Sequence, residues 1–289
     1  MDLAARPYRS VLYIPGSKER ALEKAKSLPV DAIIFDLEDA VAVEEKPNAR
    51  TLLTRTLSEG GYGNRTQIIR LNGADTEWGE ADLAAAMDIG PQAVLLPKVE
   101  SVGQVNRVAE KLDAHPACAD TQIWAMMETP RGILHADAIA TGPRMGGFIM
   151  GTNDLAKELN CRFRADRLPL QMALQTCLMA ARSHGLICVD GVYNAFKDEA
   201  GLRAECEQGR DLGMDGKTLI HPAQVEIANE VFAPSDAEIE LARRQIAAFE
   251  EAEAKGVGVA VVDGKIVENL HIVTAKATLA KADAISSMT

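Results

Sequence analysis

The segment AIIFDLEDAV, residues 32–41, runs four apolar residues directly into three carboxylates, Asp36, Glu38 and Asp39. A short continuous apolar run is typical of a parallel strand that is covered on both faces. Carboxylates this close together raise one another's pKa and cost free energy unless a positive or hydrogen-bonding group compensates them. The segment therefore predicts a buried strand that ends in acids needing a partner.

Seven other apolar runs of similar length recur along the chain, and helical stretches separate them. The eight candidate strands cover residues 11–15, 32–37, 67–71, 93–97, 123–127, 147–150, 186–189 and 217–220. Short strands that alternate with helices indicate βα units and a parallel sheet. Eight such units predict an α/β fold, a (β/α)₈ TIM barrel, whose active site lies where the strands end and the βα loops begin.

The chain is longer than eight βα units require. We predict a barrel over residues 1–233 that carries a metal site, and a C-terminal helical and lid extension over residues 234–289. The lid segment, residues 256–270, is strand-like, begins with flanking glycines and contains Asp263. Such a segment is compatible with a lid that closes over a site. Asp263-Gly264 is also a strong signal for an ordinary hairpin turn.

Composition excludes several classes of protein. A chain that is 47% hydrophobic and 25% charged is typical of a globular protein with a sizeable core. The net charge of -11 argues against a nucleic-acid or anionic-membrane binder. Five cysteines without a C-x-x-C pair predict neither a disulfide framework nor a thiolate zinc site. Since no apolar run suits a signal sequence or a membrane span, we predict a soluble cytoplasmic protein.

Reactive side chains follow the predicted strands, as a barrel requires. From the third strand to the eighth they are Arg70, Lys98, Glu128, Asp154, Asp190 and His221. With the acids of residues 36–39, they place more negative charge at one end of the barrel than the basic groups neutralise. Because oxygen ligands suit Mg²⁺, with Mn²⁺ as the alternative, we predict Glu128 and Asp154 as metal ligands. Asp36, Glu38 and Asp39 would orient bound water or an arginine.

Each of these residues also has a structural interpretation. Asp154 and Asp39 are in positions where aspartate commonly caps a helix. Arg70 has a planar fork that suits a substrate carboxylate, but it would equally serve as a buried partner for the acids. For Lys98, the structural alternative is a side chain whose stem covers the end of the barrel while its charged head stays in solvent. For His221, which precedes a proline and a helix, we predict a structural polar contact.

Several motifs together resemble a known family. They are RSVLYIPGS, FDLEDAV, RLN, LLPKVES, MMETPRGIL, GTNDL, DGVYNAF, GKTLIHPAQ and VVDGKIVE. They are similar to the citrate lyase β-subunit and malyl-CoA lyase family, which is related to the HpcH/HpaI aldolases. Within it, MMETP, GTNDLAKEL and VDGVYNAF resemble most the (3S)-malyl-CoA thioesterases and the β-methylmalyl-CoA and citramalyl-CoA lyases.

The resemblance implies roles for individual residues. Glu128 and Asp154 match the Mg²⁺ ligands of the family, and Arg70 matches the arginine that holds the substrate's carboxylate. Asp263 matches an acid/base that a lid delivers into a neighbouring subunit's site, which implies a homotrimer or homohexamer. One departure affects the lid, because this chain has Leu270-His271 where the family has a proline-histidine pair.

The remaining site residues complete the predicted machinery. Beside Arg70 and Asp263, we predict catalytic roles for Glu38 and Asp39, and substrate contacts for Lys98 and Asp36. The predicted activity is Mg²⁺-dependent hydrolysis of (3S)-malyl-CoA to malate and CoA. The alternatives are a malyl-CoA, β-methylmalyl-CoA or citramalyl-CoA lyase that releases glyoxylate or pyruvate plus an acyl-CoA, a citrate lyase β-subunit acting with an acyl carrier, and a barrel kept as a regulatory or binding protein.

Overall fold

Eight parallel strands form one closed barrel in the computed structural model, which describes residues 6–288. Each strand pairs with the next along the chain, and the eighth pairs with the first. The strands are β1 Ser10–Pro15, β2 Ala32–Asp36, β3 Thr66–Arg70, β4 Ala93–Leu96, β5 Gln122–Met127, β6 Met145–Met150, β7 Ile187–Asp190 and β8 Gly216–Leu219. All eight predicted strands are present to within a few residues, so the predicted (β/α)₈ barrel is confirmed.

The interior of the barrel is filled by side chains from alternate strand positions. Tyr8, Val11, Ile34, Ile68, Leu95, Trp124, Met126, Ile149 and Val189 belong to this buried cluster. Trp124 is completely buried, and the neighbouring strand meets it with Gly146 and Gly147. A Cβ added at Gly147 would lie 3.0 Å from the Trp124 ring. The two glycines therefore make room for the largest side chain of the core.

Helices follow the strands around the barrel. They are α1 Glu19–Ala25, α2 Lys46–Glu59, α3 Gly79–Ile89, α4 Val102–Asp113, α5 Pro130–Leu134, α6 Ala136–Ala140, α7 Thr152–Glu158, α8 Gln171–Ser183, α9 Glu199–Leu212 and α10 Val225–Phe232. Local sequence fixes several of their starts. Ser101 and Gln104 form a capping box at α4, and the Thr129 hydroxyl accepts a hydrogen bond from the Gly132 N–H at α5.

The barrel residues Tyr8–Val231 form one compact unit, and the residues from Phe232 onward belong to a second. The second unit contains α11 Asp236–Ala254, β9 Ala260–Val262, β10 Lys265–Val267 and α12 Asn269–Ser286. Its small apolar core consists of Phe249, Ala260, Val267 and Ile272, with partly buried neighbours.

Strands β9 and β10 form an antiparallel pair, and a two-residue turn joins them. Asp263 and Gly264 have φ of 50° and 75°, the left-handed pair that a tight hairpin turn requires. The structure therefore contains the ordinary hairpin that Asp263-Gly264 indicates. His271, at the predicted departure from the family pattern, accepts the Glu268 backbone N–H through Nδ1 and so caps α12. Within residues 6–288, no helix combines the length and the apolar character needed to cross a membrane.

Candidate active site

Arg70 and Asp36 form a buried ion pair at the C-terminal mouth of the barrel. They end the adjacent strands β3 and β2 and lie opposite each other in the strand register. Arg70 Nε lies 2.7 Å from Asp36 Oδ1, and Nη2 lies 2.5 Å from Oδ2. The same carboxylate accepts the backbone N–H groups of Glu38 and Ala40. Asp36 therefore fixes both the guanidinium and the turn that follows β2.

Arg70 also compensates the other two acids of the opening segment. Its Nη1 lies 2.7 Å from Glu38 Oε2 and 3.7 Å from Asp39 Oδ2. The guanidinium stacks over the Tyr13 ring, with Cζ 4.9 Å from the ring centroid. Burial raises the pKa of Glu38 to about 8 although Arg70 opposes the shift. The single positive charge of Arg70 thus faces three carboxyl groups.

A buried lysine holds the backbone of the same acidic turn. Lys46 Nζ donates to the carbonyl oxygens of Leu37 and Glu38 and to Asn72 Oδ1, at 2.8–3.0 Å. Asn72 in turn donates from Nδ2 to the Leu37 carbonyl at 2.7 Å. The turn that carries Glu38 is thus tied to β3 and α2, and its carboxylates sit on rigid backbone.

Glu128 follows β5 and points into the mouth of the barrel as a buried carboxylate. Its Oε1 accepts the backbone N–H of Lys98 at 2.7 Å, and Lys98 has a left-handed φ of 47°. A Cβ added at Gly151 would lie 2.5 Å from Oε2, so glycine is required beside this oxygen. Burial and nearby Asp154 raise the pKa of Glu128 to about 7, although the hydrogen bond from the Lys98 backbone N–H lowers it.

Asp154 lies in the first turn of α7 and lines the same cavity as Glu128. The cavity has a volume of about 310 Å³, and Tyr13, Arg70 and Asn194 also line it. No group of three metal-ligating side chains exists among residues 6–288. Mg²⁺ commonly takes only one or two carboxylates and fills its other positions with water or substrate. The pair Glu128 and Asp154 fits that ion, and the charge that Arg70 leaves uncompensated favours a cation.

The structure brings most of the predicted site residues together. Those that line the cavity of about 310 Å³ are Asp36, Asp39, Arg70, Glu128 and Asp154. Glu38 and Lys98 line a neighbouring groove of about 800 Å³. Partial burial lowers the pKa of Lys98, but Glu38, Asp154 and Glu128 outweigh it and raise that pKa. Asp263 lies in the second compact unit, on the hairpin turn.

Two of the residues predicted at strand ends do not join the site. Asp190 is completely buried and pairs with Lys217 Nζ at 3.1 Å and Arg167 Nη1 at 2.7 Å, so the prediction that it adds to the unneutralised negative charge at this end of the barrel is wrong. His221 Nδ1 accepts the Ala223 N–H, and its ring stacks on Phe196 with centroids 4.6 Å apart. His221 thus makes the structural contact predicted for it.

Two residues at the cavity were not singled out from sequence. Tyr13 supports the Arg70 guanidinium, and burial raises the pKa of its phenol above the usual value. Asn194 exchanges two side-chain amide hydrogen bonds with Asn153, the neighbour of Asp154. Tyr13 occupies a strand and Asn194 a loop, and neither position has a local pattern that distinguishes support of a site from packing.

Comparison with known proteins identifies the family of the chain. Residues 9–222 match the family described as HpcH/HpaI aldolase/citrate lyase. The chain belongs to this family. A (3S)-malyl-CoA thioesterase of Cereibacter sphaeroides is 66% identical over 98% of this chain and 97% of that protein. The citrate lyase subunit beta of Escherichia coli K12 is 34% identical over 96% of this chain and 94% of its own.

Solved structures of family members resemble this chain over most of its length. The crystal structure of CitE from Mycobacterium tuberculosis in complex with magnesium, acetoacetate and coenzyme A superimposes with a TM-score of 0.79. Its sequence is 29% identical, and the match covers 97% of this chain and 99% of the CitE chain. A citrate lyase beta subunit of M. tuberculosis complexed with oxaloacetate and magnesium has a TM-score of 0.69 at 30% identity, covering 81% of this chain and 100% of its own. These relatives confirm the family that the motifs predict.

Proposed function

We propose that this chain is a Mg²⁺-dependent thioesterase that hydrolyses (3S)-malyl-CoA to malate and CoA. The observation that carries the proposal is the cavity at the mouth of the barrel, where Glu128 and Asp154 lie beside a fixed arginine, Arg70. The thioesterase that is 66% identical supports the choice of substrate. The relative with bound magnesium and coenzyme A supports the choice of cofactor and thioester.

Arg70 is the group that we assign to the substrate's free carboxylate. Asp36 engages its Nε and Nη2, so the guanidinium cannot turn away from the cavity. Its Nη1 faces Glu38 and Asp39, each of which meets the guanidinium at this one nitrogen, whereas Asp36 meets two. A carboxylate that displaces these acids from Nη1 would gain a charge-assisted hydrogen bond in a largely buried setting. Arg70 would thereby set the orientation of the acyl group.

Glu128 and Asp154 are the residues that we assign to the metal. Mg²⁺ bound there supplies polarisation of the substrate's oxygens and so favours attack on the thioester. Glu128 is suited to hold a cation because the Lys98 N–H fixes one of its oxygens and Gly151 gives space at the other. The contribution of the protein is thus a carboxylate that is rigid before substrate arrives.

Water must lose a proton as its oxygen adds to the thioester carbon, and we assign that proton to Asp263. The C–S bond then breaks and the proton passes to the CoA sulfur. We further propose that residues 234–289 act as the C-terminal extension of the barrel at residues 1–233, and that the segment 256–270 is a lid. The lid would place Asp263 in the site of a neighbouring subunit of a homotrimer or homohexamer.

The proposed activity is tested by the products. Purified protein incubated with (3S)-malyl-CoA and Mg²⁺ is expected to give malate and free CoA, and EDTA is expected to abolish both because two carboxylates alone cannot replace the ion. Chromatography and mass spectrometry identify the products. Acetyl-CoA plus glyoxylate as the main products would instead support the lyase alternative. Turnover that persists in EDTA would contradict the metal site.

The action of Asp263 in a neighbouring subunit predicts complementation between two inactive variants. Asp263→Asn lacks the base and Arg70→Gln lacks the carboxylate anchor, so each alone is expected to retain below about 1% of wild-type kcat. Oligomers that contain both chains should recover activity, because some sites combine an intact Arg70 with an intact Asp263. Activity after co-expression and size-exclusion chromatography with light scattering measure this. A monomer, or mixed oligomers without recovery, would contradict the shared site.

The lyase alternative has its own support in the citrate lyase subunit beta relative that is 34% identical. Cleavage of the C–C bond would use the same anchor and metal ligands but would require Asp263 to protonate a carbon. A citrate lyase β-subunit would act with an acyl-carrier partner. Co-purification of such a carrier, with turnover of its citryl thioester in place of malyl-CoA, distinguishes that case.

A further inference from the structure

Asp263 is held by a two-point ion pair within its own compact unit. Arg244 Nη1 lies 2.7 Å from Asp263 Oδ1, and Nη2 lies 2.9 Å from Oδ2. The Arg244 side chain is 46% exposed and the Asp263 side chain is 58% exposed, so solvent or a partner can still reach the carboxylate. A guanidinium that meets a carboxylate through two parallel bonds fixes its direction as well as its charge.

The backbone on both sides of this pair is ordered by packing. Arg244 lies on α11, and Asp263 lies on the turn between β9 and β10. Phe249 of α11 packs with Ala260 and Val267 of the hairpin in the core of the second unit. The helix and the hairpin therefore share one apolar core, which supports the backbone on both sides of the Arg244–Asp263 pair.

The charged groups around Asp263 favour its ionised form. The hydrogen bonds and charge of Arg244 on α11, together with Lys265 on β10, hold the pKa of Asp263 below its usual range. Glu240 on α11 is the acidic neighbour of Arg244. Because an ionised carboxylate has about four acceptor sites, the two bonds to Arg244 leave both oxygens with a further lone pair. Asp263 can accept a proton while it remains paired.

We propose that Arg244 is a positioning residue that keeps Asp263 ionised and aimed as a general base, and thereby favours hydrolysis over C–C cleavage. The inference rests on the role proposed above for Asp263. Hydrolysis needs a carboxylate that takes a proton from water as the C–O bond forms and the C–S bond breaks. Cleavage needs the protonated acid, which donates to the enolate carbon of the departing acyl-CoA. The two-point pair with Arg244 favours the first form.

The test compares Arg244→Gln, Arg244→Lys and Arg243→Gln over a range of pH with (3S)-malyl-CoA as substrate. Arg244→Gln is expected to lower kcat about tenfold with little change in KM, since positioning is lost and substrate contacts are not. The acidic limb of kcat/KM should move to higher pH, because Asp263 protonates more readily without its cation. Arg244→Lys should move the acidic limb part of the way back toward its wild-type pH. Lysine keeps the positive charge but lacks the planar guanidinium that bonds both carboxylate oxygens.

Arg243→Gln is the matched control on the same helix. Arg243 lies 3.9 Å from Glu240, and within residues 6–288 the arginine paired with Asp263 is Arg244, so loss of Arg243 should leave kcat, the pH limb and the products unchanged. The product ratio gives a second readout that folding alone would not move. Arg244→Gln should raise acetyl-CoA plus glyoxylate relative to malate, and thermal melts verify that the variants are folded.

The variant Asp263→Asn separates failure of this inference from failure of the proposed function. Full activity in Asp263→Asn would show that Asp263 is not the base, and the proposed mechanism would fall with the inference. A loss of about 100-fold in Asp263→Asn, with Arg244→Gln unchanged in kcat, pH limb and products, would overturn only the role of Arg244. A faster Arg244→Gln enzyme would also overturn it, since the pair would then be an inhibitory latch.

Discussion

Replacing Glu128 with glutamine is expected to lower kcat/KM on (3S)-malyl-CoA by about 10³-fold, equivalent to ~4 kcal/mol of transition-state stabilisation. Glutamine is nearly isosteric, and its amide oxygen can still accept the Lys98 N–H that Oε1 accepts at 2.7 Å. The fold should therefore survive, while one of the two carboxylates assigned to the metal is lost. Isothermal titration of Mg²⁺ should show weaker binding, independently of turnover.

Glu230→Gln is the matched control for this variant. Glu230 forms a surface ion pair with Arg203 at 2.6 Å, and its side chain is 62% exposed. Its replacement removes the same charge from the same residue type outside the cavity, so activity and Mg²⁺ binding should remain at the wild-type level. Glu128→Gln enzyme with normal Mg²⁺ affinity and turnover would remove Glu128 from the metal site and leave the proposed chemistry without its main ligand.

Lys217→Met is expected to lower the free energy of unfolding by about 3–5 kcal/mol, because it leaves buried carboxylates with one cation in place of two. Lys217 is completely buried, and its Nζ contacts Asp190, Glu205 and the Gly191 carbonyl. Within residues 6–288, Arg167 would remain as the cation paired with Asp190 and Glu205. Urea denaturation measures the loss.

Two further variants make this prediction sharp. Arg55→Met removes an exposed ion pair with Glu19 and should cost less than about 1 kcal/mol. Asp190→Asn combined with Lys217→Met leaves Arg167 and Glu205 balanced, so this double variant should be more stable than Lys217→Met alone. A cost below about 1 kcal/mol for Lys217→Met would show that the cluster tolerates an unpaired charge.

The same cluster gives stability a defined dependence on pH. Burial alone raises the pKa of Asp190, but Lys217 and Arg167 outweigh it and hold that pKa below its usual 3.8. Burial lowers the pKa of Lys217, but Asp190 and Glu205 hold it above its usual 10.5. The ion pair therefore contributes its full stabilisation at every pH between 3.8 and 10.5, the usual pKa values of the two side chains. It is lost as the pH falls through the native pKa of Asp190 or rises through that of Lys217.

The sequence predicts the barrel well because burial leaves a local pattern. Runs such as residues 32–37 are apolar at every position when both faces of a strand are covered, and the reactive residues then follow at known offsets. Arg70 and Glu128 could be placed at the mouth of the barrel on this basis. The structure adds the distances and burial that make them a candidate site.

Long-range charge pairs could not be predicted in the same way. Asp190 ends β7 and Glu128 directly follows β5, yet Asp190 is buried in ion pairs with Lys217 and Arg167 while Glu128 faces the cavity. Lys46 is a helix residue whose contacts lie across the acidic turn, and nothing in its neighbourhood marks it as buried. Pairing between residues far apart in sequence depends on the register of the whole barrel, which no short window contains.

The groups assigned to binding and to proton transfer lie in different compact units. Glu128, Asp154 and Arg70 belong to the barrel, whereas Asp263 and Arg244 belong to the C-terminal segment. With the role proposed for Asp263, substitutions in that segment would change the proton chemistry without altering the core that the eight strands share. Natural selection could then adjust the choice of product and the thermal tolerance of the enzyme one at a time.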